Sequence, residues 1–422
     1  MLDINFIREN PGVVRENLRK RGEPKFIEML DEVLKKDELW RALKGKVDSA
    51  RARRNKISEE INKAKKEGKD PAKVVEEAKE IPKIIAEAEK ELGELQGRIR
   101  ELLLRIPNIM NDSVPKGKDD TQNVVVKVVG KKPVFKFTPK SHVDLIVEKG
   151  WADLERAAKI SGARWYFLKG DLAVLEMAIS QYAMNFMRER GFTPVVPPFM
   201  MLREAYEGVT SLGDFEEVMY KIEGEDLYAI ATSEHPITAM YQNEVLDGVM
   251  LPFKFAGFST NFRKEVGAHG KDQKGIFRVH QFNKVEQLVF SRPDQSWALH
   301  EELLKNAMDF FESLGLHFHV VNVCTGDLGI VAAKKYDIEA WYPVQNAYRE
   351  VVSCSNCTSY QAVSLNIRCQ MGEGREFAHT LNSTCVATTR ALVAIIENFQ
   401  NKDGSVNIPK VLQKYTGFEV MK

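Results

Sequence analysis

Residues 26–105 carry the pattern that most narrows what this chain can fold into. Phe26, Met29, Val33, Trp40, Leu43, Val47, Ala50, Ile57, Ile61 and Ala64 recur on steps of three and four, with Lys36 and Arg54 interrupting the row. Val74, Ala78, Ile81, Ile85, Ala88, Leu92, Leu95, Ile99 and Leu102 repeat the steps without a break. Such a row seals one helix against another along a narrow seam, as in a coiled coil. Between the rows lies KKEGKDPAK, where Gly68 and Pro71 suit the end of one helix and the start of the next. Pro82 should kink the second helix or mark a late start. The expected product is an antiparallel helical hairpin. Forty residues of helix span about 60 Å, so the arm should protrude from any compact body.

Charge on this arm is uneven. Arg41 to Lys73 holds twelve basic residues, among them Arg51, Arg53, Arg54, Lys56 and Lys63, against five acidic ones. The whole chain carries a net charge of +1, so it is not a basic nucleic-acid binder throughout. Any RNA site must come from local asymmetry of this kind. On charge alone, the arm suits phosphates, membranes, acidic proteins or plain water.

After the arm the pattern changes. Residues 106 to about 125 are rich in Pro, Asn, Asp and Gly and read as a linker. Short alternating strands are expected at Leu227–Thr232, Phe253–Phe262, Phe277–Phe290, His317–Val323 and Trp341–Glu350, with helices near 172–190, 296–314 and 384–400. Regular crossover helices are missing between them, so the sheet should be mainly antiparallel and the class α+β. At 422 residues two domains are expected: a helical arm over 1–110 and a second domain over 111–422.

Three patches of the second region combine charge with strand geometry. Arg263 and Glu265 are two apart and would share a strand face. An arginine fork suits a phosphate, and a carboxylate beside it can accept from an exocyclic amine. The loop VGAHGKDQKG follows, and then Arg278, Phe282 and Glu286 share one parity. The second patch, Thr232-Ser233-Glu234-His235-Pro236, reads either as an ammonium site or as a cap box before a helix beginning at Pro236. In the third, Glu350 and Ser353 can hold a hard cation through oxygen. Asn382-Ser383-Thr384 then leads into an apolar helix on which Arg390 must find an anion or solvent.

Taken in order behind the hairpin, these patches resemble class II aminoacyl-tRNA synthetases, and within them the seryl-tRNA synthetase family. Gly191 to Phe199 is similar to motif 1, Phe262 to Glu265 with its loop to motif 2, and Thr384 to Gln400 to motif 3. Thr232-Ser233-Glu234 and Glu350 to Cys357 resemble stretches particular to the seryl enzymes. The resemblance implies a class II catalytic domain, with helices flanking a mainly antiparallel sheet. It implies ATP-dependent activation of L-serine to seryl-adenylate and transfer to tRNA(Ser), with tRNA(Sec) left open as a second acceptor.

The implied residue roles follow from the motifs. Arg263 would bind the α-phosphate, and with Arg390 would be catalytic. Lys264, Glu265, Val279 and Phe282 would hold the adenylate part of ATP, with Glu265 and the Val279 backbone reading adenine and Phe282 stacked on it. Arg278 and Arg390 would grip the β- and γ-phosphates. Glu350, Val351, Val352 and Ser353 would complete the ATP site, with Mg²⁺ on Glu350 and Ser353. Thr232, Ser233 and Glu234 would orient the serine ammonium, while Glu286, Asn382 and Thr384 reach its hydroxyl. Arg51, Arg53, Arg54, Lys56 and Lys63 would meet tRNA, bound across a homodimer.

Departures are visible. The run Asn382-Ser383-Thr384-Cys385-Val386-Ala387-Thr388-Thr389-Arg390 looks archaeal or eukaryotic rather than bacterial. Ala362-Val363-Ser364 stands where many members carry Ala-Arg-Arg.

Other readings weigh less. Cys354-X-X-Cys357 has no second pair to complete a zinc site, since Cys324, Cys369 and Cys385 are isolated; no zinc is expected. No P-loop or Rossmann fingerprint is present. No apolar run is long enough for a membrane span, and the N-terminus lacks a signal-like apolar core. A cytoplasmic setting is therefore expected. A seryl-synthetase-like ligase of carrier proteins would lack the arm. A degenerate RNA-binding paralogue would have lost Arg263, Glu265, Glu286 or Arg390.

Overall fold

The computed structural model describes residues 1–68, 70, 72–211, 217–265 and 274–422. Lys69 and Pro71 of the expected helix break lie outside the described residues, as do 266–273 of the glycine-bearing loop and the side chains of Lys65, Lys73 and Val74. The chain divides into two compact units: Ile4–Ile106, and Met1–Asp3 together with Pro107–Lys422.

The first unit is helical: α1 (Ile4–Glu9), α2 (Pro11–Arg21), α3 (Pro24–Lys66) and α4 (Ala72–Arg105). The heptad rows meet as expected. Val47, Ile57, Ile81 and Ile85 form a buried cluster, flanked by Ala50, Ile61, Ala78, Ala88 and Leu92. Ion pairs between the helices give the direction: Glu32 pairs with Arg98, Arg51 with Glu89 and Arg53 with Glu77. Partner numbers fall as the first rises, so the two helices run antiparallel. The late start expected from Pro82 does not occur, because α4 begins at Ala72 and runs through Pro82. Ile81 and Ile85 hold that stretch to the seam on both sides of the missing amide. The short helices α1 and α2 were not evident in the pattern. They bury Ile7, Val14 and Leu18. Arg8 also reaches the buried Asp37 at 2.5 Å.

The second unit is built on an eight-stranded sheet. Its strands are β1 (Val124–Val129), β2 (Thr193–Val195), β3 (Phe253–Phe262), β4 (Gln281–Ser291), β5 (Phe318–Asn322), β6 (Lys334–Tyr342), β7 (Ala347–Thr358) and β8 (His379–Ala387). They lie in the order β1-β5-β6-β7-β8-β4-β3-β2. Every neighbouring pair is antiparallel except β2 with β3. The class is α+β, as expected.

Alternation along β4 shows how the sheet is used. Val285 and Val289 enter the main core, shared with α5 (Asp171–Glu189), α7 (Ser296–Ser313) and α9 (Thr388–Asn398). Leu288 and Phe290, on the other face, join a second core under α6 (Glu234–Ala239) and α8 (Tyr360–Leu365). Phe282, Lys284 and Glu286 share that second face, and there the cover opens into a cavity.

Several local expectations need correction. The strand expected over 341–350 is the ends of β6 and β7 joined by a turn at 343–346. Pro343 and Asn346, with Asn346 at φ 50°, are the turn chemistry that separates them. The helix expected from 384 starts at Thr388, because residues 384–387 complete β8. Strand β3 stops at Phe262, and β4 starts only at Gln281. Arg263, Glu265 and Arg278 therefore sit on irregular backbone, with Glu265 at φ 47°. The expected linker is partly buried structure: the Asn108 side chain donates to the carbonyls of Val331 and Cys357.

One glycine fixes how closely α6 approaches the sheet. A Cβ on Gly257 of β3 would lie 2.5 Å from Ile237 Cδ1 and 2.7 Å from Ser233 Oγ. Gly257→Val is expected to cost about 1–3 kcal/mol, the range for overpacking. A lowered midpoint of thermal unfolding is the readout. An unchanged midpoint would mean that the helix yields freely.

Candidate functional site

The cavity has a volume of about 510 Å³. Its floor is the common face of β4, β8 and β7. Residues 231–232, 234–235, 263, 265, 277–279 and 329–332 contribute to its walls.

Two β-bulges aim the floor residues. Successive strand residues alternate faces, so residues three apart normally point opposite ways. The β6–β7 register shifts between Ile338 and Glu339, which leaves Val351 as an extra residue on β7. Glu350 and Ser353 then both face the cavity. The β8–β4 register likewise shifts past Cys385, so Asn382, Thr384 and Ala387 all turn inward.

Most residues expected from the sequence converge here. Thr232, Glu234, Arg263, Glu265, Arg278, Val279, Phe282, Glu286, Glu350, Val351, Ser353, Asn382, Thr384 and Arg390 all line the cavity. Ser233, Lys264 and Val352 do not line it. Ser233 Oγ donates to the Gly257 carbonyl, so it anchors α6 and does not cap it. That helix begins at Glu234, two residues before the expected start at Pro236, and Thr232 Oγ1 accepts from the Glu234 amide. Lys264 offers its backbone, donating to the Val218 carbonyl. Val352 points into the main core.

Charge is concentrated on the floor. Glu286 is buried, with Lys284 Nζ at 2.5 Å and Thr384 Oγ1 donating to it at 3.2 Å. The Gln361 and Asn382 amides both donate to Glu234 Oε1, at 2.9 and 3.0 Å. Burial, then the like charge of Glu286, pushes the Glu234 carboxyl up to about 7. Burial next to Lys284 and Arg263 lowers His235 to about 3, so its ring is neutral at physiological pH. That ring lies 3.0 Å from the Tyr206 hydroxyl, which accepts from the Ala231 amide.

The walls are cationic. Arg263 lies 5.3 Å from the Phe282 ring and donates to the Ala231 carbonyl. Arg390 donates to the Glu350 carbonyl at 2.7 Å. Arg278 stands 3.6 Å from Glu265, and its Nε is buried without a hydrogen-bond partner among the described residues. Three guanidiniums sharing one cavity with the Phe282 ring and an oxygen-lined floor suit a polyanion carrying a planar base.

Sequence reasoning missed several lining residues. Lys284 was legible, since it shares the parity of Phe282 and Glu286. His235 and Cys357 lie within the stretches Thr232–Pro236 and Glu350–Cys357 but carried no expected role. Lys335 and the stretch Gly329–Ala332 carry no local signal, because only the sheet register brings them in. Cys354 lies in the main core whereas Cys357 lines the cavity and accepts from Asn382, so these two thiols do not converge.

In the helical unit, Arg51 donates to Glu89, and Arg53 to both Glu60 and Glu77. Lys63 lies 3.9 Å from Glu67. Arg54 and Lys56 are exposed, and their side chains have no partner among the described residues.

Comparison with known proteins agrees with this geometry. Residues 218–399 match the tRNA synthetase class II core domain (G, H, P, S and T), and residues 1–110 match the seryl-tRNA synthetase N-terminal domain. A serine–tRNA ligase of Methanoregula boonei is 57% identical, over 98% of this chain and 98% of its own. The seryl-tRNA synthetase of Pyrococcus horikoshii, solved with ATP, superposes with a TM-score of 0.94 at 49% identity, covering 100% of this chain and 99% of its own. A cytoplasmic serine–tRNA ligase of Naegleria fowleri, solved with AMP, gives 0.88 at 37% identity, with the same coverages.

The electrostatics of the floor are directly testable. In the ligand-free protein, the Glu234 carboxyl carbon should titrate by NMR with a midpoint near 7, and Glu234→Gln should remove that signal. A midpoint in the ordinary carboxylate range would show that burial does not dominate.

Proposed function

The chain belongs to the seryl-tRNA synthetase family of class II aminoacyl-tRNA synthetases, and on that premise we propose how its own residues divide the work. The activity is ATP-dependent ligation of serine to tRNA. Serine's carboxylate attacks the α-phosphorus of ATP, the bond to the bridging oxygen breaks, and pyrophosphate leaves. A hydroxyl of the terminal ribose of tRNA then attacks the seryl carbonyl, and AMP leaves.

The observation that carries the residue roles is the convergence of three separated motifs on one cavity. Arg263, 5.3 Å from the Phe282 ring, holds the α-phosphate and draws off charge as the bond to pyrophosphate breaks. Glu265 and the Val279 backbone meet adenine, with Phe282 against its face. Arg278 and Arg390 take the outer phosphates. Thr232 and Glu234 receive the ammonium, and Asn382, bonded to Glu234, belongs to that end of the substrate. Glu286, with Thr384, receives the hydroxyl. No general base is required, because the attacking carboxylate is already a nucleophile; positioning and electrostatics suffice. Ser233, Lys264 and Val352 support the site through backbone and packing.

Glu350 and Ser353 fit Mg²⁺. Both are oxygen donors, the ligand type a hard cation prefers, and the bulge at Val351 turns both to the cavity. Bound there, the ion would neutralise phosphate charge.

The arm is read as the tRNA-binding element, with Arg54 and Lys56 as its available cations. Met177 and Val196 expose apolar side chains on and beside motif 1, which supports a homodimer with tRNA bound across subunits. No helix among the described residues is long and apolar enough to cross a membrane, in keeping with a cytoplasmic enzyme. A carrier-protein ligase is disfavoured by the intact N-terminal domain.

A screen of the twenty amino acids for ATP–pyrophosphate exchange should respond to serine; silence with serine would end the assignment. Arg263→Ala should lower serine-dependent exchange by about 10³-fold, and normal exchange would move the α-phosphate contact elsewhere. Reversing charge at Arg54 and Lys56 together should raise the KM for tRNA(Ser) about tenfold and leave exchange unchanged. The same charging assay, run with tRNA(Sec), decides whether that acceptor is served.

A further inference from the structure

Among the described residues, Glu286 uses only one of its two oxygens. Lys284 Nζ lies 2.5 Å from Oε2, and Thr384 Oγ1 donates to that same oxygen. Oε1 has no partner among the described residues, and Glu286 lines the cavity. Lys284 and Glu286 are 8% and 2% exposed, two residues apart on β4, on the face that continues into Leu288 and Phe290. A buried ion pair in such a place adds little stability over an apolar pair of similar volume. Its presence calls for another reason.

The ligand supplies one. An amino acid always brings an ammonium, and at this end the cavity offers two carboxylates, the half-buried Glu234 and the buried Glu286. A bare carboxylate in a dry pocket takes whichever cation fits. With both bare, the α-ammonium would have two competing sites, and a side-chain amine would be as welcome as a hydroxyl.

We propose that Lys284 is a specificity-determining positioning residue: it fills the cation site of Glu286, so that Oε1 accepts a hydroxyl and an amine in its place is repelled. This rests on the reading that Glu286 meets the serine hydroxyl. Lys284 then acts twice. It directs the α-ammonium to Glu234, and it sets a repulsive charge against serine analogues with a cationic side chain, which is how discrimination between near-isosteres is built. A hydroxyl brings a donor and no charge, so it alone satisfies both Oε1 and the nearby lysine.

The probe is L-2,3-diaminopropionate, which is serine with an amine in place of the hydroxyl. In wild-type protein it should inhibit serine-dependent exchange less well than alanine does; tighter binding than alanine would overturn the proposal. In Lys284→Met, kcat/KM for serine should fall, and the diaminopropionate-to-serine ratio should rise by roughly a hundredfold, the scale on which a buried charge partner discriminates. Lys284→Arg, which keeps the cation, should preserve the wild-type ratio. An unchanged ratio in the Met variant, or an equal rise in the Arg variant, would reject the proposal. Wild-type exchange with serine, measured alongside, separates failure of this inference from failure of the assigned activity.

Discussion

A strand covered on both faces cannot carry a lone charge, and that constraint organises this catalytic unit. Strand β4 meets the main core through Val285 and Val289 and a second core through Leu288 and Phe290. Between those cores its residues are almost entirely buried. The desolvation cost of one ion in such a place is several kcal/mol, and it is offset only by a partner in good geometry. Lys284 and Glu286 meet that condition together, with Thr384 from β8 as a third contact. The neighbouring carboxylate, Glu234, has no such cation on it and is held by two amide donors instead. Burial, and then the like charge of Glu286, raises its pKa. The cavity therefore holds Glu286 beside a cation and Glu234 with amide donors and no ion pair among the described residues.

Regular sheet geometry alone would not gather these groups. Alternation places every second residue on a face, yet the residues needed are at 350 and 353 on β7, and at 384 and 387 on β8. Each strand solves this with one extra residue, and each bulge sits beside the cavity. The walls rely on irregular backbone for the same reason. Arg263 and Arg278 lie just outside β3 and β4, where side chains are not bound to the pleat and can lean over the floor. The acidic and hydroxyl groups of the site are thus carried mainly on strands, whereas the guanidiniums of Arg263 and Arg278 come from irregular backbone and that of Arg390 from the first turn of α9.

These features explain what the sequence made legible. The seam residues of the arm are read directly, because a heptad row is a local pattern whose meaning does not depend on the rest of the fold. The parity of Phe282, Lys284 and Glu286 is equally local, and reading it fully would have added Lys284 to the site. Bulges erase parity, so the common face of Glu350 and Ser353 could be assigned only through resemblance to known motifs. The break at 343–346 was missed although Pro343 and Asn346 signal it, because apolar residues on both sides outweighed the turn chemistry. Gly329–Ala332 and Lys335 were beyond reach, since nothing local says that strand pairing will bring them to the cavity. Ser233 was misassigned for a related reason: its hydroxyl suits a cap or a ligand, and only the bare Gly257 opposite shows that it is an anchor.

Charge counting on the arm carries a similar lesson. A surplus of basic residues suggests a surface for phosphate, but several of those residues are occupied. Arg51 and Arg53 hold acidic partners on α4, and Arg98 holds Glu32 on α3. Exposed pairs of this kind add little to stability, yet across a two-helix seam they favour one register and direction over others, which a row of Ile, Val and Ala cannot do alone. The arm's charges thus divide by geometry. Those that reach the opposite helix help set how the hairpin zips, and those on the outer faces, such as Arg54 and Lys56, have no side-chain partner among the described residues. A chain that is nearly neutral overall can engage RNA on these terms, because phosphate contacts depend on the few cations still unpaired and not on the total.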